Sequence, residues 1–403
     1  MESFRYNDIF QNITEDKIKD LLKDMVAIPS HTGIKNRERE LAIFIHDYFK
    51  QHGIRTHIHN VKDERCNLIA RLSGKGGGKD LLLTGHLDTV PPYNMKNPYK
   101  LKEQNGRLYG LGTVDMKASI ACMMIAMSEL HNSGTELFGD VIFAGVIDEE
   151  NKSAGTQYLL KSGLRAHGAI VGEPTESQIC IGHRGLEWFE IVFKGRTVHG
   201  GKQSEGVNAI EKSKNFMDCV DKELLPKLKT RVHPIIGGSS MNYGFITGGT
   251  QPSTVAGECI LRFDRRWIPG EKFENVLMEY EDILERLRKN DPQFCAELYI
   301  MEDSKMEDGF IHEYLETNPN SEIVRALKRA YIEINDKEPI FTSFPAWTDG
   351  GLLSTYGNIP TVVFGPGSIK TAHSIEEHIE KSELQPAAKI YAATSIIFAG
   401  ERS

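Results

Sequence analysis

Two secondary-structure rhythms share this chain, and the first resumes after the second ends. Up to about Gly185, amphipathic helices alternate with short apolar strands. A helix capped by Thr14 runs toward Ile28 and a second from about Arg37 to His52. Strands follow at IRTHIH, NLIARL and DLLLTG, then a helix through MKASIACMMIAMSELH, the strand DVIFAGVI, and a further helix before GAIVGE. Such alternation predicts an α/β layer structure.

From Gly185 the order becomes strand EWFEIVFKG, helix NAIEKSKNFMDCVDKELL, strands NYGFITGG and AGECILRFDRR, helix EKFENVLMEYEDILERLR and strand AELYI. This β-α-β-β-α-β order is the split βαβ arrangement, a four-stranded sheet with two helices on one face. Near Pro319 the alternation returns with SEIVRALKRAYIEI, PTVVFG and a closing helix from about Glu383. A chain of 403 residues also exceeds what one hydrophobic core usually organises. The expected fold class is therefore α/β. Residues 1–184 and 306–403 form a discontinuous domain with a central, mostly parallel sheet flanked by helices, and 185–305 form an inserted α+β domain of ferredoxin-like order.

Composition narrows the classes of function. With 40% hydrophobic and 26% charged residues the chain reads as globular. The net charge of -8, with Lys and Arg dispersed, argues against nucleic acid or an anionic membrane and favours a small-molecule substrate. A split βαβ sheet can bind RNA, but no K/R-G-F/Y-x-F motif occurs. The opening MESFRYNDIFQNITEDKIKD lacks a basic segment followed by an apolar one, and no window reads as a membrane span, so a cytoplasmic protein is expected. The six cysteines are widely spaced without a C-x-x-C pair, so neither a disulfide framework nor a thiolate zinc site is indicated. GKGGGK at 74–79 reads as a flexible turn. It is not a phosphate loop, because Ser73 stands where the motif needs Gly and Asp80 follows Lys79.

Five segments carry candidate chemistry. In GHLDTVPP, His86 and Asp88 sit two apart at a strand end, so both side chains can project one way. YGLGTVDMK delivers Asp115 at a helix start, where it is either a helix cap or a ligand. Asp148, Glu149 and Glu150 follow an apolar strand; adjacent carboxylates there are solvated at a helix start or neutralised by cations. Glu173 in VGEP and His373 in KTAHSIEEHI are unremarkable alone. However, sites in open α/β sheets form beyond the carboxyl ends of strands, and His86, Glu149, Glu150 and Glu173 all fall there.

The ordered set GHLDTVP, YGLGTVDMK, DEE, GEP, then VHGG and DRRWIPGE in the insert, then TDGG and a final AH, resembles the M20 family of metallohydrolases. The likeness is to the branch of acetylornithine deacetylase and succinyl-diaminopimelate desuccinylase. It implies two divalent metal ions, zinc foremost with cobalt or manganese as alternatives. His86 and Glu173 would bind one, Glu150 and His373 the other, with Asp115 bridging, Glu149 as general acid/base and Asp88 as the carboxylate behind the ligands. It also implies that the insert is a lid and dimerisation domain, that His199 in GRTVHGG reaches a neighbouring subunit's site to stabilise an oxyanion, and that Arg266 meets a substrate carboxylate. Arg265, on the opposite strand face, reads as a surface or inter-strand pair. Asp349 in WTDGGLL is either a substrate contact or a helix cap.

The sequence departs from the family pattern at Lys202 and Gln203, where relatives carry a proline after the histidine. Ser253 stands where a substrate-holding asparagine is common, and Ala256 where proline is usual. The implied reaction is hydrolysis of an N-acyl amino acid by a homodimer. A dipeptidase or carboxypeptidase of the same fold and a non-catalytic ligand-binding homologue are the alternatives, the last disfavoured because all five ligand candidates and Glu149 are present.

Overall fold

The computed structural model of the chain describes residues 9–402, so the first eight residues of the opening segment lie outside the described residues. Contacts divide the chain into two units, one formed by residues up to Gly182 together with those from Leu315 onward, the other by His183–Tyr314. Residues 306–314, expected with the returning segment, pack with the insert. Their anchor is a buried carboxylate: Glu187, 1% exposed, accepts from Ser304 Oγ at 2.7 Å and lies 3.1 Å from His312 Nδ1. A carboxylate removed from water needs such partners, so the segment that supplies them stays with it.

In the first unit, helices α1 (Glu15–Val26) and α2 (Arg39–Gln51) precede strands β1 (Arg55–Lys62), β2 (Arg65–Leu72) and β3 (Leu81–His86). Helix α3 (Lys117–Asn132), β4 (Val141–Val146), α4 (Ala154–Lys161), β5 (Gly168–Val171) and the short β6 (Ile179–Cys180) follow. The insert supplies β7 (Gly185–Lys194), α5 (Ala209–Cys219), β8 (Ser240–Gly248), β9 (Glu258–Trp267), α6 (Phe273–Asn290) and β10 (Cys295–Ile300). The chain closes with α7 (Glu322–Asn335), β11 (Phe341–Thr342), α8 (Gly350–Thr355), β12 (Thr361–Val363) and α9 (Lys381–Ala399).

The first unit holds an eight-stranded sheet in the order β1-β2-β4-β3-β5-β12-β6-β11. It is mixed, with its central pairings parallel. β4, β3, β5 and β12 run parallel to one another, whereas β1–β2, β2–β4 and β12–β6 are antiparallel. The antiparallel edge begins at a two-residue hairpin whose residues, Asp63 and Glu64, both have positive φ (47° and 65°), the twist-matched geometry for such a turn. β3 and β4 are buried at every position, which explains their uninterrupted apolar sequences. Helix α3 is buried nearly all round, against β3, β4 and α9.

The GKGGGK turn is fastened: Lys75 N–H donates to Leu137 O and Gly76 N–H to Phe138 O, both at 2.9 Å. A Cβ on Gly139 would lie 1.9 Å from Lys79 O, so the close approach of these segments requires glycine. All six cysteines are free thiols. No helix among the described residues is long and apolar enough to cross a membrane.

The insert holds a four-stranded antiparallel sheet in the order β8-β9-β7-β10. Phe189, Ile191 and Phe193 of β7 and Leu261 and Phe263 of β9 form its core with Phe216 of α5 and Tyr280 of α6. The Phe189 ring lies 5.3 Å from Phe263 and 5.7 Å from Tyr280, centroid to centroid. Phe189→Ala should therefore destabilise the insert by about 3–5 kcal/mol. A urea unfolding midpoint equal to that of the wild type would show that the core does not depend on this ring.

Candidate metal centre

Because β3, β4 and β5 are adjacent and parallel, their carboxyl ends lie at one edge of the sheet. His86 is the last residue of β3, the Asp148–Glu150 turn follows β4, and Glu173 follows β5. Asp115 arrives on the loop before α3 and His373 on the loop after β12.

The two imidazoles meet one carboxylate. Asp115 Oδ1 is 3.0 Å from His86 Nε2, and Oδ2 is 3.3 Å from His373 Nε2. His373 Nε2 also lies 2.9 Å from Glu150 Oε1, and His86 Nε2 lies 3.6 Å from Glu173 Oε1. Asp115 makes no capping bond to α3, whose N-cap is Met116. The other nitrogen of His86, Nδ1, is 2.9 Å from the backbone oxygen of Asp88 and 3.7 Å from its carboxylate. A carbonyl at that distance takes the Nδ1 proton and leaves Nε2 as the donor atom.

Asp88 holds the acidic turn. Its Oδ1 accepts from Glu149 N–H at 3.2 Å and its Oδ2 from Glu150 N–H at 3.0 Å. Burial pushes the Asp88 carboxyl up to about 7, against the opposing pull of His86. Of the three adjacent acids, Asp148 is matched by arginines: Arg65 lies at 2.7 Å and Arg37 at 3.5 Å. Arg65 also grips the fully buried Glu38 through two bonds of 2.8 and 2.5 Å. Sequence reasoning missed Glu38 and Arg65. The one available signal was a charged residue, Arg65, opening a strand whose remaining residues are mostly apolar.

Glu149, Glu150 and Glu173 are left facing the histidines. Donor atoms of His86, Glu149 and Glu173 lie within 4.8 Å of one another, as do those of His86, Asp115 and Glu150. Burial raises the Glu149 carboxyl well above the usual range, reinforced by the charge of Glu173. Burial does the same to Glu173, reinforced by Asp115. In Asp115 burial acts upward too, but bonds to His373 and His86 outweigh it and hold the carboxyl below its ordinary value. Burial lowers His86, yet Asp115 and Glu173 keep it well above 6.5. His373 rises to about 10 through its bonds to Asp115 and Glu150. Glu173 Oε1 is fully buried without a hydrogen-bond partner. An orphaned carboxylate oxygen amid nitrogen and oxygen donors is what a divalent cation satisfies, so these residues fit one.

Asp349 is 2% exposed, makes no cap bond to α8, and accepts from Thr156 Oγ1 at 2.7 Å. Its charge raises the carboxyls of Glu149 and Glu173. His199, Ser253 and Arg266 belong to the inserted unit. The first two are neighbours, since Gly200 N–H donates to Ser253 O at 2.7 Å and His199 bridges Thr254. Exposed His199 accepts from Gly201 N–H at its Nδ1 at 3.1 Å, so the ring proton sits on Nε2. Arg266 is 26% exposed and lies 3.1 Å from Asp264. Arg265 is not a surface residue: its side chain is 0% exposed and pairs with Glu271 at 2.7 Å and Glu279 at 3.5 Å. It shares the inward face of β9 with Leu261, Phe263 and Trp267.

In metal-free protein the bonds of His373 contribute stability that is fully present below its ordinary 6.5 and lost as pH rises through about 10. Glu149 and Glu173 act in the same direction, because deprotonation leaves them charged and buried. Chelator-stripped protein should therefore melt lower at about pH 9 than at about pH 6, and added Zn2+ should raise Tm more at the higher pH, since binding releases protons. A metal-induced shift in Tm that does not vary with pH would contradict this electrostatic account.

The sequence matches the family described as Peptidase family M20/M25/M40 over residues 82–396. N-formyl-4-amino-5-aminomethyl-2-methylpyrimidine deformylase of Halalkalibacterium halodurans is 28% identical over 392 residues, covering 92% of this chain and 91% of that protein. Acetylornithine deacetylase of Buchnera aphidicola subsp. Schizaphis graminum is 27% identical over 389 residues, covering 92% and 95%. Among solved structures, aminopeptidase PepT from Bacillus cereus superposes with a TM-score of 0.79 at 21% identity, over 96% of this chain and 99% of that one. With the match spanning most of its length, the chain belongs to peptidase family M20/M25/M40 and is a hydrolase of amide bonds.

Proposed function

We propose that the chain hydrolyses the amide bond of an N-acyl amino acid or a closely related N-acylated small molecule. The observation that carries this reading is the sharing of the Asp115 carboxylate, with one oxygen at 3.0 Å from His86 and the other at 3.3 Å from His373. Two donor sets thereby meet at one bridging group. His86 and Glu173 would hold one divalent cation and Glu150 and His373 the second, with Asp115 common to both. Zinc suits this set best, with cobalt and manganese sharing its donor preferences. Two cations bound there supply Lewis acidity toward a carbonyl and lower the pKa of water.

Glu149 is the general base in this proposal. It accepts a proton from the attacking water and delivers it to the amine nitrogen as the C–N bond breaks. Asp88 fixes its turn, and Asp349 borders the same cluster on the substrate side. Arg266 meets the substrate carboxylate with the N–H groups that Asp264 leaves available, and Ser253 lies beside the His199 loop. His199 of a second copy, carrying its proton on Nε2, donates to the developing oxyanion, so the active species is a homodimer formed through the insert. Six free thiols support placing the protein in a reducing cytoplasm.

The names of the two relatives described above denote removal of an acyl group from an amine, which favours deacylation over peptide cleavage. Mass spectrometry of amine release from N-acetyl, N-formyl, N-succinyl and long-chain acyl amino acids, alongside dipeptides, tests the choice. Cleavage confined to one acyl series, dependent on added Zn2+, Co2+ or Mn2+, is the expected result; preference for dipeptides would replace it with a dipeptidase. Glu149→Ala should keep its metal content and lose about two to four orders of magnitude in kcat. Wild-type turnover in that variant would remove Glu149 from the mechanism.

A further inference from the structure

Four residues after His373, on the same loop, lies a carboxylate that no step above uses. Glu377 is 2% exposed. Its Oε2 accepts from Gly112 N–H at 3.0 Å, and its Oε1 accepts from Val114 N–H at 3.0 Å and Asp115 N–H at 3.3 Å. The backbone oxygen of Glu377 takes a fourth amide, Gly110 N–H, at 3.3 Å. Both carboxylate oxygens are thus occupied by backbone donors, so the group is turned toward the loop and serves as an acceptor, not as a ligand. Gly112, at φ 77°, supplies the left-handed turn in this loop, and a Cβ there would lie 2.9 Å from Thr89.

We propose that Glu377 is a positioning residue for the binuclear site: it clamps the 110–115 loop, which presents Asp115, to the 370–378 loop, which presents His373. The inference rests on the reading of Asp115 and His373 as metal ligands. The shared carboxylate can serve two donor sets only if both oxygens are held in place, and Asp115 has no cap bond to α3 that would hold it. A buried carboxylate gathering consecutive amides supplies that restraint, and it couples the two loops so that Asp115 and His373 are set together.

Glu377→Gln tests this. The amide keeps the size of the side chain but offers one acceptor oxygen and places an NH2 group against a backbone N–H, so at least one amide loses its acceptor. Calorimetric titration of chelator-stripped protein with Zn2+ should show affinity lowered about 10–100-fold, the scale for losing a group that orients a ligand. The melting temperature of the stripped variant should stay near that of stripped wild type. Asp115→Asn run in parallel isolates the underlying assignment, since unchanged Zn2+ binding by that variant refutes the ligand reading itself. Loss of binding in Asp115→Asn with wild-type affinity in folded Glu377→Gln overturns the clamp alone. Should Glu377→Gln not fold, amide hydrogen exchange of stripped wild type decides: protected Val114 and Asp115 amides support the clamp, and rapid exchange there overturns it.

Discussion

Carboxylates outnumber their countercharges at the ends of β3, β4 and β5, and that imbalance governs the site. Asp88, Asp115, Asp148, Glu149 and Glu173 are all taken largely out of water, as is Glu150, while the nearby positive groups are two histidines and Arg65 with Arg37. Charges crowded in this way are costly unless compensated. The protein divides the problem. Asp148 is neutralised by Arg65, Asp88 is stabilised by the backbone amides of Glu149 and Glu150, and the remaining acids are turned toward one another and the histidines. Those remaining acids create the strongest demand for positive charge. The upward displacement of Glu149 and Glu173 is the same demand expressed as protonation.

Holding such a cluster open requires a scaffold that does not relax around it. The fully buried strands and α3 provide rigidity, but every side chain of the candidate metal centre except His86 sits beyond the regular elements. Its position therefore depends on loop backbone, which apolar packing fixes poorly. Buried polar side chains perform that task. Asn67 donates to Gly155 O at 2.8 Å and accepts from Ile147 N–H at 3.1 Å, tying the end of β4 to α4. Arg65 ties the Asp148 turn to Glu38, and Asp88 ties it to the loop after β3. Each such residue satisfies backbone or side-chain groups that would otherwise be orphaned in the interior.

This division explains what was legible in the sequence. Strands and helices with clear periodicity were legible, and so were the acids that follow apolar strands, because a buried strand delivers its next residues to the sheet edge. The two-residue strands Ile179–Cys180 and Phe341–Thr342 are too short for a period-2 signal. Glu38, Arg65 and Glu377 were not legible, because a lone charge resembles a solvated surface residue until its partner, distant in sequence, is known. Arg265 was misplaced although the signal existed: Leu261, Phe263 and Trp267 share its parity, which marks the inward face, and charge was allowed to outweigh alternation. The boundary near residue 306 shifted to Tyr314 because the buried Glu187 recruits Ser304 and His312, a requirement of tertiary structure with no local pattern.

The residues assigned to metal and proton chemistry, His86, Glu149, Glu150, Glu173, Asp115 and His373, all come from the unit built on the large sheet. The insert carries Ser253 and Arg266, assigned to the substrate, and His199, assigned to the oxyanion, while Asp349 belongs to the large-sheet unit. The insert has its own apolar core, so its loops can change without disturbing the charge balance at the candidate metal centre. The departures at Lys202, Gln203 and Ser253 fall in two loops that hydrogen-bond to each other within the insert, through Gly200 and Ser253. Neither loop contributes to the compensation of Asp148 or Asp88. On the proposed reading they bear on which acyl group or amine is accepted, and leave the two-cation arrangement unchanged.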